Sequence, residues 1–292
     1  MPILRSRGFR LGVITTAGLL AATLSFFAWQ TFYPVQAADG WTVDVLHSNV
    51  EKAASLLPQA DGSLIVSREL DDGRGSILKI TQHGDRVVLV SNLSKPDGMV
   101  AVQGGWVFSQ EGGRAPVSLS RDGQVTRLFD GESVQGLWSD ADHLFAIEDR
   151  KGNGRLLRYD WQSGQLDVLR SGLRETEGLT RCSDGRLLYT EKAAGIVRAL
   201  SDDGRDPVVV KGLRNPTFLL CDQRGLWISE DNTHRSRLLR VDADGSQHTV
   251  LSFLKAPQAI APDGKGGYLL AEGGRDRVLQ LTPPVEKTIA RR

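Results

Sequence analysis

The sequence predicts an all-β fold, a six-bladed β-propeller, because a unit of about forty residues recurs six times after residue 40. Each unit contains a short apolar run that ends in a glutamate. These glutamates, separated by 42, 37, 43, 39 and 42 residues, are Glu69, Glu111, Glu148, Glu191, Glu230 and Glu272. A period of this length with strand-like patterning is typical of propeller blades.

Blade four illustrates the order of strands within a unit. Residues 177–182 predict an inner strand, and 187–191, 195–200 and 207–211 predict the three strands that follow it. Asp-Gly pairs favour the two-residue turns of hairpins, which need positive φ. Comparable turns are predicted at Asp61-Gly62, Asp122-Gly123, Ser163-Gly164 and Asp244-Gly245.

The sixth unit has only three strands before Pro283-Pro284, whereas a spare strand lies at Trp41–Leu46. We expect this N-terminal strand to complete the last blade and close the ring, because closure removes exposed sheet edges. The propeller is therefore predicted to span residues 38–284, with a C-terminal tail over 285–292.

The first 37 residues differ in kind from the rest. Arg5, Arg7 and Arg10 precede an apolar run over 11–29, and small residues follow it, with cleavage expected after Ala37. This pattern predicts a signal peptide. The apolar run is also long enough to span a bilayer, so a membrane anchor over 11–29 is the alternative. In both cases the arginines stay inside, which predicts a periplasmic or extracellular propeller.

The charge of the exported part is close to neutral. Residues 1–37 contain three arginines and no acidic side chain, so the net charge of +1 for the whole chain becomes −2 for residues 38–292. This balance gives no reason to expect a nucleic-acid partner.

The start of each inner strand is predicted to surround the mouth of the central channel, the default ligand site of this fold. Counting fourteen residues back from each glutamate, or thirteen in blade three, gives Ser55, Asp97, Gln135, Glu177, Pro216 and Gln258. These positions differ between blades, as an asymmetric ligand requires. The six glutamates do not differ, and we expect them to accept backbone hydrogen bonds at turns.

Oxygen-rich side chains without paired histidines or cysteines suit a hard cation such as Ca²⁺ or Mg²⁺. Asp97, Gln135 and Glu177 are the predicted ligands, and a hydrated polar channel is the alternative. His234 is the histidine expected on the pocket face, as a general acid or base. Candidate substrate-binding side chains, chiefly cations near the inner strands, are Lys95, Arg174, Arg214, Lys255 and Gln258.

Cys182 and Cys221 occupy equivalent positions, nine residues before their glutamates. An exported protein permits a disulfide. Points related by a sixfold rotation lie one ring radius apart, however, which exceeds the Cα separation of ~4.4–6.8 Å that a bridge needs. We therefore expect two buried thiols.

With these features, residues 41–284 resemble the SMP-30, gluconolactonase and LRE-like propellers, and are similar to NHL-repeat and strictosidine-synthase-like proteins. The segment Pro96-Asp97-Gly98-Met99 resembles the one whose aspartate binds a divalent metal in the lactonases. The resemblance implies a metal-assisted lactone or ester hydrolase with Asp97 near the ion. Gln135-Gly136 and Glu177-Gly178 stand where that family has asparagine before glycine.

Three functions follow as alternatives. The first is metal-assisted hydrolysis, in which Asp97 and Glu177 hold the ion with help from Gln135, and an acidic side chain relays a proton. The second is a non-catalytic module that binds a small molecule at the channel mouth or a protein on the top face. The third is a quinone-dependent sugar dehydrogenase, for which His234 would supply the catalytic histidine.

Overall fold

The computed structural model describes residues 3–32, 34–232 and 235–284, with the side chains of the N-terminal helix described over 12–29. The chain divides into two compact units between Val35 and Gln36. The first contains helix α1 (Ile3–Phe32). Its stretch Gly12–Trp29 is long and apolar enough to cross a membrane, which is compatible with a signal sequence or an anchor.

The second unit confirms the predicted six-bladed β-propeller, which consists of six antiparallel sheets. Two strands, β1 (Gln36–Ala37) and β2 (Thr42–His47), precede the first blade. Blades one and two comprise β3 (Ala53–Pro58), β4 (Leu64–Arg68), β5 (Gly75–Ile80), β6 (Arg86–Leu93), β7 (Met99–Val102), β8 (Gly105–Phe108), β9 (Arg114–Arg121) and β10 (Gln124–Glu132). Blades three and four comprise β11 (Val134–Ser139), β12 (His143–Glu148), β13 (Gly154–Asp160), β14 (Leu166–Leu173), β15 (Leu179–Arg181), β16 (Leu187–Glu191), β17 (Ile196–Ala199) and β18 (Val208–Lys211). Blades five and six comprise β19 (Pro216–Asp222), β20 (Gly225–Glu230), β21 (Ser236–Val241), β22 (Gln247–Leu254), β23 (Pro257–Pro262), β24 (Tyr268–Glu272) and β25 (Arg277–Thr282).

The predicted ring closure is confirmed. Strand β2 pairs antiparallel with β25, so that Thr42 lies opposite Thr282 and His47 opposite Val278. The last blade thus joins the first residues of the propeller to the last, and the short sixth unit is completed as expected.

Strand burial follows the position of each strand in its blade. The second strands, such as β12, are apolar runs that are buried on both faces between neighbouring blades. The outer strand β6 is exposed over most of its length. The predicted Asp-Gly and Ser-Gly turns have glycine in the left-handed region, with φ between 73° and 85° at Gly62, Gly123, Gly164 and Gly245.

Strand β1 adds a fifth strand to blade five, a feature the sequence did not predict. Gln36 pairs with Ser252 and Ala37 with Leu251 of the outer strand β22. The amide of Ala38 continues the contact, since it donates a hydrogen bond of 2.9 Å to the carbonyl of Val250.

The expectation of two free thiols was wrong, because Cys182 and Cys221 form a disulfide. Their Cα atoms are 5.0 Å apart, within the range that a bridge spans. The expectation was wrong because it assumed that the inner strands of blades four and five follow an exact sixfold ring, which would keep the two cysteines one ring radius apart. The amide of Cys221 in fact donates a hydrogen bond to the hydroxyl of Thr180 in the neighbouring blade, so the two strands touch directly at this level.

Candidate active site at the channel mouth

The inner strands β3, β7, β11, β15, β19 and β23 contact one another in a closed ring. Three glycines make this contact close in blades two to four. A Cβ on Gly98 would lie 1.9 Å from the carbonyl oxygen of Gln135, and one on Gly136 would lie 2.3 Å from that of Glu177. These glycines follow Asp97, Gln135 and Glu177, so the absence of side chains at 98 and 136 brings the three predicted ligands onto adjacent, tightly packed strands.

A residue with a backbone φ in the left-handed region precedes every inner strand. Its carbonyl accepts a hydrogen bond from the backbone at the end of the second strand of the same blade, at 2.8–3.1 Å. With φ values of 44–53°, these residues are Lys52, Lys95, Ser133, Glu175, Asn215 and Ala256. Because none is a glycine, each connection holds a conformation that is uncommon for residues with a side chain.

Four of the repeated glutamates, Glu148, Glu191, Glu230 and Glu272, end the second strand of their blades, and Glu191 is half-buried beside Arg198. Glu148, Glu230 and Glu272 are fully buried and accept the backbone N–H of the residue before the left-handed one, at 2.7–3.0 Å. Each also pairs with an arginine directly across the sheet, as Glu148 does with Arg155 at 2.7 Å. These contacts are structural, as expected.

In blades one and two the equivalent positions hold Arg68 and Gln110, and Glu69 and Glu111 lie one residue further along. Arg68 faces Ser76 where Glu148 of blade three faces Arg155. The ammonium of Lys95 donates a hydrogen bond to Glu111 and lies 3.5 Å from Glu69. Burial lowers the pKa of Lys95, but the hydrogen bond to Glu111 and the charges of Glu111, Glu69 and Asp97 together outweigh burial, so the pKa is raised.

The carboxyl group of Asp97 is buried, with 3% of the residue's surface exposed. Its Oδ1 is buried and has no hydrogen-bond partner. Burial raises the pKa of Asp97 well above its usual range, and the nearby charges of Glu69, Glu111 and Glu177 raise it further, while Lys95 opposes them. Burial and neighbouring carboxyl groups both disfavour the ionised form of Asp97 unless a positive charge compensates it.

Glu177 lies in the same group and pairs with Lys192, whose Nζ is 2.6 Å from Oε1. Burial raises the pKa of Glu177 to about 7, although Lys192 lowers it. Asp149 is the next carboxyl, and burial raises its pKa to about 6. Gln135 donates a hydrogen bond of 3.4 Å to Oδ2 of Asp149, whose buried Oδ1 has no partner.

We refer to these side chains together as the mouth cluster. It consists of five carboxyl groups, two lysines and one amide, namely Glu69, Lys95, Asp97, Glu111, Gln135, Asp149, Glu177 and Lys192. Carboxyl groups exceed cations by three, and this excess adds to burial in raising the pKa values of Glu69, Asp97, Asp149 and Glu177.

The remaining predicted site residues have other positions. Arg174 and Arg214 are exposed. The backbone amides of Arg214 and Lys255 serve as donors to the buried Glu230 and Glu272. Gln258 is partly buried, and its carbonyl accepts a hydrogen bond from Ser229. His234 lies outside the described residues.

Two members of the cluster, Asp149 and Lys192, were missed by sequence reasoning. Each directly follows one of the repeated glutamates. The structurally equivalent residues, whose amides donate to the left-handed residue before each inner strand, are Glu69, Glu111, Asp149, Lys192, Asp231 and Gly273. This position varies between blades, and aligning the first two blades with a shift of one residue would have grouped Glu69, Glu111, Asp149 and Lys192.

Another acidic group lies away from the mouth, at the turn into β12. Within the part of the chain that the structure describes, Asp140, Asp142 and His143 form the one group of three carboxylate or imidazole side chains whose ligand atoms all lie within 4.8 Å. Asp140 already accepts hydrogen bonds from two backbone amides and pairs with Arg181 at 3.0 Å. These hydrogen bonds and the ion pair of Asp140 therefore account for the closeness of the three side chains.

Solved structures of several kinds of protein have a similar fold. A gluconolactonase from Xanthomonas campestris has a TM-score of 0.69 and 18% sequence identity, over 85% of this chain and 91% of that one. A virginiamycin B lyase from Staphylococcus aureus, with quinupristin, has a TM-score of 0.56 and 17% identity over 85% and 93%. An auxiliary nutrient binding protein from Bacteroides thetaiotaomicron has a TM-score of 0.64 and 11% identity over 82% and 70%. No family model and no curated protein matches the sequence.

Proposed function

We propose that this chain is an exported hydrolase of lactones or small esters whose mouth cluster binds a divalent cation. One observation carries the proposal: the carboxylate of Asp97 is buried among three other carboxyl groups and has an oxygen without a hydrogen-bond partner. Such a group is costly unless a cation or a proton neutralises it.

The donor set suits a hard cation. The lysines already engage Glu69, Glu111 and one oxygen of Glu177. Oδ1 of Asp97, which has no partner, is left as a ligand, and the second oxygen of Glu177 and the amide oxygen of Gln135 are the other donors of the proposed site. When bound there, the ion would polarise a substrate carbonyl and lower the pKa of a bound water.

The side chains of the cluster supply the proton transfer. Asp149 would relay the proton, because burial raises its pKa to about 6 and its Oδ1 has no hydrogen-bond partner. Lys192 holds Glu177 by the contact of 2.6 Å and fixes the direction of its carboxyl group. Lys95 does the same for Glu111, so it is a positioning residue rather than a clamp for an anionic substrate.

Export is part of the proposal. The arginines before α1 and its apolar stretch fit a segment inserted with its N-terminus inside the cell. The disulfide supports an oxidising compartment, because such bonds are rare in the cytosol. The gluconolactonase among the similar structures supports the choice of a lactone as substrate.

A non-catalytic binding module is the second candidate, and the two lysines favour it. They neutralise Glu111 and Glu177 within the cluster, so part of the network is complete without any ligand. The nutrient binding protein and a nidogen–laminin complex among the similar structures support this use of the fold.

Metal analysis with a lactone panel tests the two candidates. We expect the purified protein to contain a stoichiometric divalent cation, to lose hydrolysis with EDTA and to regain it with Ca²⁺ or Mg²⁺. Asp97→Asn should abolish hydrolysis and the Tm increase that the cation causes. Asp202→Asn, at an exposed turn, is the matched control and should change neither. A protein without bound cation and without activity on the panel would exclude the hydrolase and leave the binding module.

A further inference from the structure

We propose that helix α1 remains attached to the mature protein as a membrane anchor, because the propeller uses residues on both sides of the expected cleavage site. This inference rests on export but not on hydrolysis or on a cation. It resolves the choice between signal peptide and anchor that the apolar run over 11–29 leaves open.

The residues that cleavage after Ala37 would remove belong to the fold. Gln36 and Ala37 form β1 and pair with Ser252 and Leu251. The chain then continues without interruption, since Ala38 bonds to Val250 at 2.9 Å. Cleavage would take away both residues of the strand and leave only the last of these contacts.

Strand β1 covers an edge that is open in blade one. Val90 and Leu251 occupy corresponding positions, because they face Ile77 and Leu238 of the preceding strands. The residues before them, Leu89 and Val250, can therefore be compared. Leu89 is 40% exposed, whereas Val250, in the strand that β1 covers, is 2% exposed.

An outer strand without a partner presents free backbone groups that can pair with other chains. Blade five avoids this along Val250–Ser252 only while Gln36 and Ala37 are present. The loop after β1 strengthens the arrangement, since Trp41 donates its backbone amide to Ala38 and packs its ring against Trp227 at a centroid distance of 5.6 Å. The complete fold is therefore that of the uncleaved chain.

The segment before β1 has the properties of an anchor. The apolar stretch Gly12–Trp29 spans eighteen residues with every described side chain outside any core. A stretch of this length can cross a bilayer. Arg5, Arg7 and Arg10 precede it and favour an N-terminus inside the cell.

Fractionation of the full chain tests the anchor. The chain, with a C-terminal tag, is produced in a bacterium that has a periplasm, beside the variant Ala37→Leu, which blocks signal-peptide cleavage because the site requires a small residue. We expect both proteins to keep the full-length mass, to stay in the membrane pellet after washing at high salt and high pH, and to enter solution with detergent. A wild-type protein that begins at Ala38 in the soluble periplasm, beside an Ala37→Leu variant in the membrane, would overturn the proposal.

The contribution of β1 is measured separately by hydrogen exchange on the full chain in detergent. The double variant Gln36→Pro/Ala37→Pro removes the amides of the strand, and Pro34→Ala, just before the strand, is its control. We expect faster exchange along β22 and a Tm lower by roughly 2–4 °C in the double variant only. Unchanged exchange along β22 would show that β1 does not hold this edge and would contradict the inference. Neither measurement depends on hydrolysis or bound cation, so failure here is distinct from failure of the proposed function.

Discussion

The ammonium of Lys192 lies 2.6 Å from Oε1 of Glu177, and both side chains are largely buried, with 24% and 9% of their surfaces exposed. This ion pair joins two positions at which the six blades differ. It connects the end of the second strand of blade four with the start of its inner strand. Removing either partner therefore tests the electrostatics of the whole mouth cluster.

Lys192→Met should destabilise the protein near pH 8 by about 1–3 kcal/mol, because it leaves a buried carboxylate without its cation. The double variant Lys192→Met/Glu177→Gln should recover most of this loss, since the amide needs no counter-charge. Urea unfolding of the wild type, both single variants and the double variant gives the coupling energy. Lys211→Met, at an exposed strand end, is the control. Additive effects at 192 and 177 would contradict a functional ion pair.

The stability of the propeller should decrease as pH rises from about 4.5 to about 7. Burial raises the pKa of Glu177 from 4.5 to about 7, so the folded protein holds this proton more tightly than the unfolded chain does. The contribution of this group is thus fully present below pH 4.5 and is lost as pH rises through 7. Its size is about 3 kcal/mol. Glu177→Gln should flatten the pH dependence of the unfolding free energy, measured in EDTA over pH 4.5–8; an unchanged slope would contradict the raised pKa.

The disulfide should contribute about 4 kcal/mol, as expected for the loop closed by a sequence separation of 39 residues. The double variant Cys182→Ser/Cys221→Ser should unfold at a correspondingly lower urea concentration and with a larger m-value, because the unfolded chain without the cross-link is less compact. Thiol titration of the denatured wild type should detect no free thiol before reduction and two after it. Two free thiols in the unreduced protein would restore the original expectation of buried cysteines.

The sequence predicted the propeller fold because each repeat of about forty residues corresponds to one blade. Six glutamates at a period of about forty residues, with Asp-Gly turns between the expected strands, defined the blades and even the strand that closes the ring. Strand β1 escaped prediction because two residues cannot show a strand period, and its partner β22 lies over two hundred residues away.

The candidate site was predicted only in part, for a physical reason. Asp97, Gln135 and Glu177 were found because the repeats differ there. Glu69 and Glu111 were assigned to the structural set because the sequence aligned them with Glu148, but in the structure they are equivalent to Asp149, one residue further along. A shift of one residue moves a side chain to the other face of a strand. The spacing of the glutamates in the sequence does not reveal this shift.

Gly178→Ala should disrupt the packing between blades four and five, because a Cβ at this position would lie 2.0 Å from the carbonyl oxygen of Thr217. Backbone atoms cannot move aside as a flexible side chain can, so we expect a loss of about 2–4 kcal/mol. Gly185→Ala is the matched control: its φ is +87°, but nothing lies within 4 Å of the added Cβ. That variant should lose only about 1–2 kcal/mol from backbone strain. Urea unfolding ranks the two variants, and an equal or smaller loss for Gly178→Ala would show that the inner strands have room to separate at the mouth.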